Sequence, residues 1–546
     1  LCTRSRDAVC SGDDGYKIYI LPSPVSSSAI TSKVIDFTFK AVDTSTIIPE
    51  KTPQTAESVI ADIETPIDME KTQSTGSTDP FLVSFAEPHD PENPKDWSTS
   101  KKWAVTSVLS ATGLNRIMVS TIIAPALSDI ALDLKMSDIE SVMAMSVYLL
   151  ATAFGPLLIG PLSEVYGRRP VLHVTNVWFM IWNLICGFSN SKGVFFASRL
   201  LAGFGASAIY ALAGGVLGDI WRPEQRGRSL GLYLLIPLLG VAIGPIFGGL
   251  ISGATTWRWT FWSTSILQGF MVVGSFVVFK ETYAPVILEK RTLQLRKSTG
   301  QDQYYCQSMK QSEGRSKFDV IRNSLTRPMR LLMFHPIIQM QACLSGLDYG
   351  VTYIVIATYA NLWTSQYGES VTISGLHYVG ISLGEIFGAL IGGPIIDAIY
   401  RRLKQQSPEK EGRPEFHIPL MLPGSVVLVA GLFMYGWCAE YHTPWPVVDI
   451  GAAVLSMGGT MAGQSLQAYV IDTYSEHTSS ASAATQFLRS LAAFGLPLFS
   501  PAMYSSLGYG WANSLLGFVT AALFLPSVLI IWLYGEKMRA NMKSSY

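Results

Sequence analysis

The stretch GPLSEVYGRRP, Gly160 to Pro170, places an acid and two arginines directly behind an apolar run. A near-copy, GPIIDAIYRR, follows from Gly393 to Arg402. The Gly-Pro pair, the acid (Glu164 or Asp397) and the arginine pair (Arg168 and Arg169, or Arg401 and Arg402) fall at identical spacing in both. A charged cluster repeated at the end of two apolar runs is what two halves of one architecture would leave in a sequence. Coincidence between two arginine-bearing loops is the alternative.

Composition puts those runs in a membrane. Of 546 residues, 49% are hydrophobic and 15% are charged, whereas soluble domains carry about 25% charged residues. The formal net charge is zero, which removes an overall electrostatic case for nucleic acid. From Trp103 onward, apolar stretches of about twenty residues recur, the length a helix needs to cross a bilayer. Six lie within 103–279 and six within 332–534. The expected fold class is therefore an all-α integral membrane protein with twelve transmembrane helices in two pseudo-symmetric six-helix halves. A cytoplasmic central loop, 280–331, joins them. A disordered cytoplasmic tail, 1–102, precedes them; it is rich in Ser, Thr, Pro and acids and has no apolar run of signal-peptide length. A short cytoplasmic tail, 535–546, follows.

Basic residues cluster behind the second, fourth, sixth and eighth spans, so the positive-inside rule puts those loops and both termini in the cytoplasm. The segment from Phe318 to Leu332 is amphipathic and is expected along the inner membrane surface. In the first copy, Gly160 would permit close backbone approach and Gly167 a tight turn. Glu164 could pair with Arg168 and Arg169, at about 1 kcal/mol per rim pair, weak enough for a switch that must reopen. Pinning the loop to one side of the membrane is the plainer reading.

These stretches resemble the loop signature of the major facilitator superfamily, with Glu164 where Asp is usual. RLLAGFGAS, from Arg199, resembles its fourth-span signature, and GVAIGPIFGG, Gly240 to Gly249, its antiporter signature in the fifth span. NPKDWSTSKKW (Asn93 to Trp103), WRWTFW (Trp257 to Trp262) and KETYAPVILEKR (Lys280 to Arg291) are similar to fungal twelve-span drug:proton antiporters. The resemblance covers about 93–536. It implies proton-coupled export of drugs, xenobiotics or a self-made toxic metabolite. It also implies a plasma-membrane protein, monomeric, with small-molecule substrate and protons as partners, no cofactor and no enzymatic activity.

Read by themselves, Gly240, Gly244 and Gly248 recur every four residues and line one helix face for a close neighbour. Pro245 allows a kink, and Gly249 closes the stretch that carries the resemblance. The resemblance implies that this contact seals a cavity against proton leak; generic small-residue packing is the alternative.

Charges inside spans are costly facing lipid, so Arg116, Arg199, Asp348, Glu385 and Arg489 should face a cavity or a partner. Polar stripes at helical spacing accompany them: Gln341, Ser345 and Asp348; Tyr378, Ser382 and Glu385; Gln464 and Gln467; Gln486 and Arg489. Arg199 matches the fourth-span arginine that the resemblance ties to proton coupling, where it would bias a carboxylate. Asp348 and Glu385 are the expected proton carriers, since a carboxyl can gain and lose a proton and an arginine cannot. Permanent ion pairs are the competing reading for both acids. Asn115 and Arg116 suit an anionic or carbonyl-bearing substrate, Tyr349 and Trp363 an apolar one, and Gln341, Tyr378, Gln464, Gln467 and Arg489 complete the expected cavity.

Other chemistries lack material. GFGASA, Gly203 to Ala208, fits a dinucleotide fingerprint on paper but lies inside an apolar span and follows no strand. No GxxxxGK[ST] sequence occurs. Six scattered cysteines show no CxxC pair, and seven histidines occur singly, which suits interfacial positions better than a metal site. A membrane enzyme or a non-transporting receptor is thereby disfavoured. Proton-coupled uptake of a small organic nutrient is the alternative direction.

Overall fold

A computed structural model describes residues 79–542 apart from 87–88, 313–316, 408–411 and 475–477. Most of the expected N-terminal tail and residues 543–546 lie outside the described residues. Helices account for almost all of the rest, because a chain in lipid must satisfy its backbone polar groups within each segment. The first portion comprises α1 (Thr99–Thr121), α2 (Leu127–Asp133), α3 (Asp138–Tyr166), α4 (Arg168–Gly187), α5 (Lys192–Ala206), α6 (Ala208–Ile220), α7 (Pro223–Ala254) and α8 (Arg258–Val278). Three helices follow: α9 (Ala284–Thr299), α10 (Gln307–Ser312) and α11 (Lys317–Phe334). The last portion comprises α12 (Pro336–Asn361), α13 (Val371–Gln406), α14 (Met421–Glu440), α15 (Trp445–Thr473), α16 (Thr478–Gly495) and α17 (Ser500–Met542).

Among the described residues nine segments are long and apolar enough to cross a membrane. One of them, Ser480–Ala540, runs through two expected spans. The break between those two is Gly508, with φ +70°, where Glu440 accepts the Gly510 N–H at 3.1 Å. α12 is 26 residues long, but Gln339, Gln341, Ser345 and Asp348 interrupt its apolar length. The fourth apolar run, about 195–218, is two helices, α5 and α6, separated at Ser207, whose hydroxyl donates back to the Phe204 carbonyl at 2.6 Å.

Local sequence explains several ends. Ser137 and Glu140 form a reciprocal capping box that starts α3. Gly167 ends it at φ +96°, a conformation a side chain resists. In the second copy of the repeated motif Tyr400 stands where Gly167 stands in the first, and α13 continues unbroken through Asp397, Arg401 and Arg402 to Gln406. The two copies thus share spacing but not backbone shape.

Two expectations need correction. The interval 280–331 is not a plain loop: α9, α10 and most of α11 occupy it, and α11 packs on both α3 and α16. The segment 79–98, assigned to a disordered tail, is tied to that interval. Leu82 makes a parallel bridge with Tyr305, and the Val83 N–H donates to the Tyr305 carbonyl at 2.8 Å. Asp90, 1% exposed, meets Arg291 Nη1 at 2.6 Å, and Asp96 meets Arg222 at 2.8 Å.

Asp90 gives this attachment a pH dependence. Burial alone would raise its carboxyl, but the Ala86 N–H, the Arg291 guanidinium and the Glu92 N–H outweigh burial and lower it to about 2. The released segment therefore binds a proton more readily than the docked one, so acid favours release. Docking should be complete above the ordinary aspartate range and lost as pH falls towards 2. Hydrogen exchange of residues 79–98, followed against pH, checks this; Asp90→Asn should already be released at neutral pH.

Candidate functional site

At the arginine-rich rim the first motif copy closes on partners distant in sequence. Arg168, 7% exposed, directs Nε to Asp219 Oδ2 at 3.3 Å and Nη1 to Ser163 Oγ at 2.5 Å. Its guanidinium lies 4.8 Å from the Tyr283 ring. The Glu281 carboxylate accepts backbone N–H groups from Arg168 (2.8 Å), Arg169 (3.2 Å), Thr282 (3.0 Å) and Tyr283 (3.0 Å). It caps the open N-terminus of α4, where orphan donors and the helix dipole favour an anion. The expected partner, Glu164, is exposed; the carboxylates that Arg168 and the Arg169 backbone meet are Asp219 and Glu281. Gly160 also departs from expectation, since a Cβ there would meet nothing within 4 Å. In the second copy Arg401 Nε turns back to the Asp397 carbonyl at 3.2 Å, and Asp397 and Arg402 are exposed.

The glycine row of α7 touches two helices. A Cβ on Gly240 would lie 2.7 Å from the Leu114 carbonyl oxygen, on Gly244 2.8 Å from that of Met118, and on Gly248 1.9 Å from that of Ile122. That row of carbonyls runs along α1 to Ile122, which caps it. Gly249 faces elsewhere: a Cβ there would be 2.9 Å from the Val371 oxygen, and one on Gly375 would be 2.6 Å from the Pro245 oxygen. Thr372 donates to the Gly249 carbonyl at 3.3 Å. α7 therefore joins α1 to α13 at the end away from the arginine-rich rim. A second cross-contact pairs α3 with α16, through Thr152 Oγ1 and Ser490 Oγ at 2.9 Å and the Phe154 and Phe487 rings at 5.4 Å.

The interior of the first portion is a neutral network around two cations. Arg116, 2% exposed, donates to Asn176 Oδ1 at 2.5 Å and to the Ala206 carbonyl at 3.4 Å. Asn115 Nδ2 reaches Gln268 Oε1 at 2.9 Å, and Gln268 Nε2 reaches Asn176 Oδ1 at 3.3 Å. Arg199, fully buried, donates to the Ala144 and Val119 carbonyls at 3.2 and 3.0 Å and lies over the Tyr148 ring at 4.7 Å. Tyr148 joins the two arginines, since its hydroxyl donates to the Arg116 carbonyl at 2.8 Å. Arg199 thus meets carbonyl dipoles and an aromatic face. It does not meet the carboxylate expected of it.

Both interior acids lie in the last portion, with Arg489. Asp348 of α12 is within electrostatic range of Arg489 on α16 and of Glu385 on α13. Gly459 of α15 makes room for it; a Cβ there would stand 2.5 Å from Asp348 Oδ1. Asp348 Oδ1 and Glu385 Oε2 are buried without a hydrogen-bond partner, as is Arg489 Nε. The Arg489 guanidinium lies 4.0 Å from the Tyr349 ring. Beside this group Gln341 Nε2 donates to Gln467 Oε1 at 3.0 Å, and Thr485 donates to Gln341 Oε1 at 2.9 Å. Gln464 Oε1 is buried and unpartnered. Tyr378 belongs elsewhere, with its hydroxyl spent on the Ile356 carbonyl at 2.6 Å and its ring edge-on to Tyr359. Trp363 joins the same aromatic group.

Several partners were not singled out from sequence. Asn176 and Asn183 fall seven residues apart on α4, one helix face, and that spacing was a usable signal. Asn183 Nδ2 meets Thr264 and Ser265 hydroxyls, both at 2.9 Å. Asp219 carried no local signal, and Glu281 lies in the stretch KETYAPVILEKR, where nothing in the sequence assigns it a partner. Among the described residues no group of three or more His, Cys, Asp or Glu side chains is arranged so as to hold a metal ion.

An all-helical bundle of apolar spans, with ionisable groups gathered inside it, defines a membrane transporter of the secondary type. The chain belongs to the Major Facilitator Superfamily, whose sequence profile matches residues 109–497. It is 53% identical over 423 residues to a probable efflux pump, mfs2, of Aspergillus flavus, covering 78% of this chain and all of that one. It is 39% identical over 480 residues to the efflux pump vrtL of Penicillium aethiopicum, covering 88% and 94%. Among solved structures, the proton:xylose symporter XylE shares its fold at a TM-score of 0.56 and 16% identity, with 80% and 96% covered.

Proposed function

We propose that this transporter exports small, largely apolar organic molecules, xenobiotics or a fungal secondary metabolite, in exchange for protons by alternating access. The single observation that carries the reading is the pair of unpartnered carboxylate oxygens in a membrane interior: Asp348 Oδ1, whose carboxylate is within electrostatic range of Arg489, and Glu385 Oε2, whose carboxylate is within range of Asp348. An unpaired carboxylate there is expensive unless it can take a proton. The names of the similar efflux pumps support the outward direction.

A proton from outside neutralises Asp348 or Glu385 and weakens the attraction to Arg489. Substrate is then released outward, and the portions containing 103–279 and 332–534 rock back about the α7–α13 and α3–α16 contacts with the proton bound. Return of the proton to the cytoplasm resets the site. Arg489 takes the role first given to Arg199. Arg116, with Asn115, Asn176 and Gln268, forms the opposing wall and orients a carbonyl or anionic group of the substrate. A proton moving down 100 mV and one pH unit supplies roughly 3.7 kcal/mol, enough for a gradient of about several hundredfold in a neutral substrate. The protein acts as a monomer in the plasma membrane, with both termini cytoplasmic.

The test uses proteoliposomes with an imposed proton gradient and a panel of radiolabelled azoles and lipophilic dyes. Movement of a compound against the proton flow is expected. Movement with the flow would mean uptake, and no coupled flux across the panel would overturn the reading.

A further inference from the structure

A separate titratable cluster lies where α13 begins, at the end away from Arg401 and Arg402. His377, 7% exposed, has Nδ1 2.8 Å from Asp449 Oδ2 on α15. Its Nε2 is 2.8 Å from Glu369 Oε2, in the link between α12 and α13. Tyr359 of α12 donates to the other Asp449 oxygen at 2.6 Å. Trp363 stacks on the imidazole, with centroids 3.7 Å apart and planes at 11°, and Trp445 meets its edge at 5.7 Å. The histidine read from sequence as a lone interfacial one is therefore enclosed on every side.

The geometry counts protons. A neutral imidazole has one N–H and one lone pair, so it can donate to only one of two carboxylates. Its other nitrogen would then turn a lone pair on an anionic oxygen at the same 2.8 Å. Both contacts are attractive only when the cluster holds one proton more. Among the described residues neither carboxylate has a Lys or Arg ion-pair partner that would serve instead. Other titratable groups nearby are Tyr367, which donates to the Thr443 carbonyl at 2.8 Å, with His442 5.7 Å from its ring and Cys438 in electrostatic range of it, and Tyr378 and Tyr435, whose rings meet that of Tyr359.

We propose that His377, Glu369 and Asp449 form a second proton-binding site, at the mouth opposite the arginine-rich rim, with the bound proton on the imidazole. The loaded site is one cation between two carboxylates and fastens the first turns of α13 to α15 and to the preceding link. Those turns are the ones whose Thr372 and Gly375 press on Gly249 and Pro245 of α7. Loss of the proton leaves two carboxylates around a neutral ring and loosens that contact. Glu385 is two helical turns further along α13, about 12 Å. The mouth site is thus distinct from the interior acids.

Full-length protein with ¹⁵N-labelled histidine, reconstituted in lipid, tests this, because ring nitrogen shifts separate imidazolium from neutral imidazole. At pH 7 the signal that His377→Gln removes should report both nitrogens protonated. Asp449→Asn and Glu369→Gln should each weaken proton binding about tenfold, as loss of one adjacent charge does. Asp472→Asn, beside His417, should leave the His377 signal unmoved. Glu369 lies outside any helix, so its variant remains informative if Asp449→Asn misfolds. A neutral His377 at pH 7, or a midpoint unmoved by every folded variant of the two acids, overturns the assignment. The measurement requires no transport, so its outcome is independent of the export reading.

Discussion

Asp348→Asn should fold, insert and bind substrate, yet lose gradient-driven transport by about tenfold or more, because it keeps the shape of the side chain and removes the proton-accepting charge. Energy-independent exchange of labelled for unlabelled compound should survive, since rocking with substrate bound needs no proton. Glu385→Gln should act in the same direction and more weakly, because Arg489 influences Asp348 more directly than Glu385. Arg489→Lys should retain coupling in part, and Arg489→Gln should leave Asp348 without its cation. Uptake into proteoliposomes, with and without an imposed gradient, separates these outcomes. Full gradient-driven activity in both acid variants would remove them as proton carriers.

Gly248→Val should destabilise the protein by about 3 kcal/mol, the upper range for overpacking a tight contact. A Cβ at Gly248 would lie 1.9 Å from the Ile122 carbonyl oxygen, a backbone atom of α1 that cannot swing aside as a side chain can. The expected result is a lowered melting temperature in detergent or lipid. Gly249→Ala addresses a different contact, since its Cβ would meet the Val371 oxygen at 2.9 Å on α13. It should disturb the α7–α13 seam more than overall stability and should raise proton leak in the absence of substrate. Gly160→Ala is the control: its Cβ would have open space, so neither stability nor leak should change. A Gly248 variant as stable as the parent would contradict the packing described for this row.

The membrane class and the positions of the apolar helices were legible because a bilayer imposes a length on each helix and charges a penalty for polar exposure. The same penalty drew attention to Asp348, Glu385, Arg489, Arg116 and Arg199. Their pairing was not legible. Periodicity tells which face of a helix a residue occupies, but not which other helix that face meets. Arg168 was expected to find Glu164, four residues before it, and instead finds Asp219, 51 residues on. Arg199 was expected to find an acid and finds carbonyl oxygens. Asn176 and Gln268 were passed over because an uncharged amide raises no alarm in an apolar run. Residues 79–98 look like tail by composition; what orders them is Arg291 and Tyr305, some two hundred residues away.

Exchange of substrate for protons is seen when both fluxes are recorded together. Proteoliposomes loaded with a fluorescent lipophilic dye from the transport panel, with no pH or voltage difference imposed, are diluted into dye-free buffer while internal pH is followed. Dye efflux should drive protons inward, acidifying the lumen in the wild-type protein and not in Asp348→Asn. Dye leaving through the wild-type protein with no change in internal pH would show that substrate moves without exchange for protons.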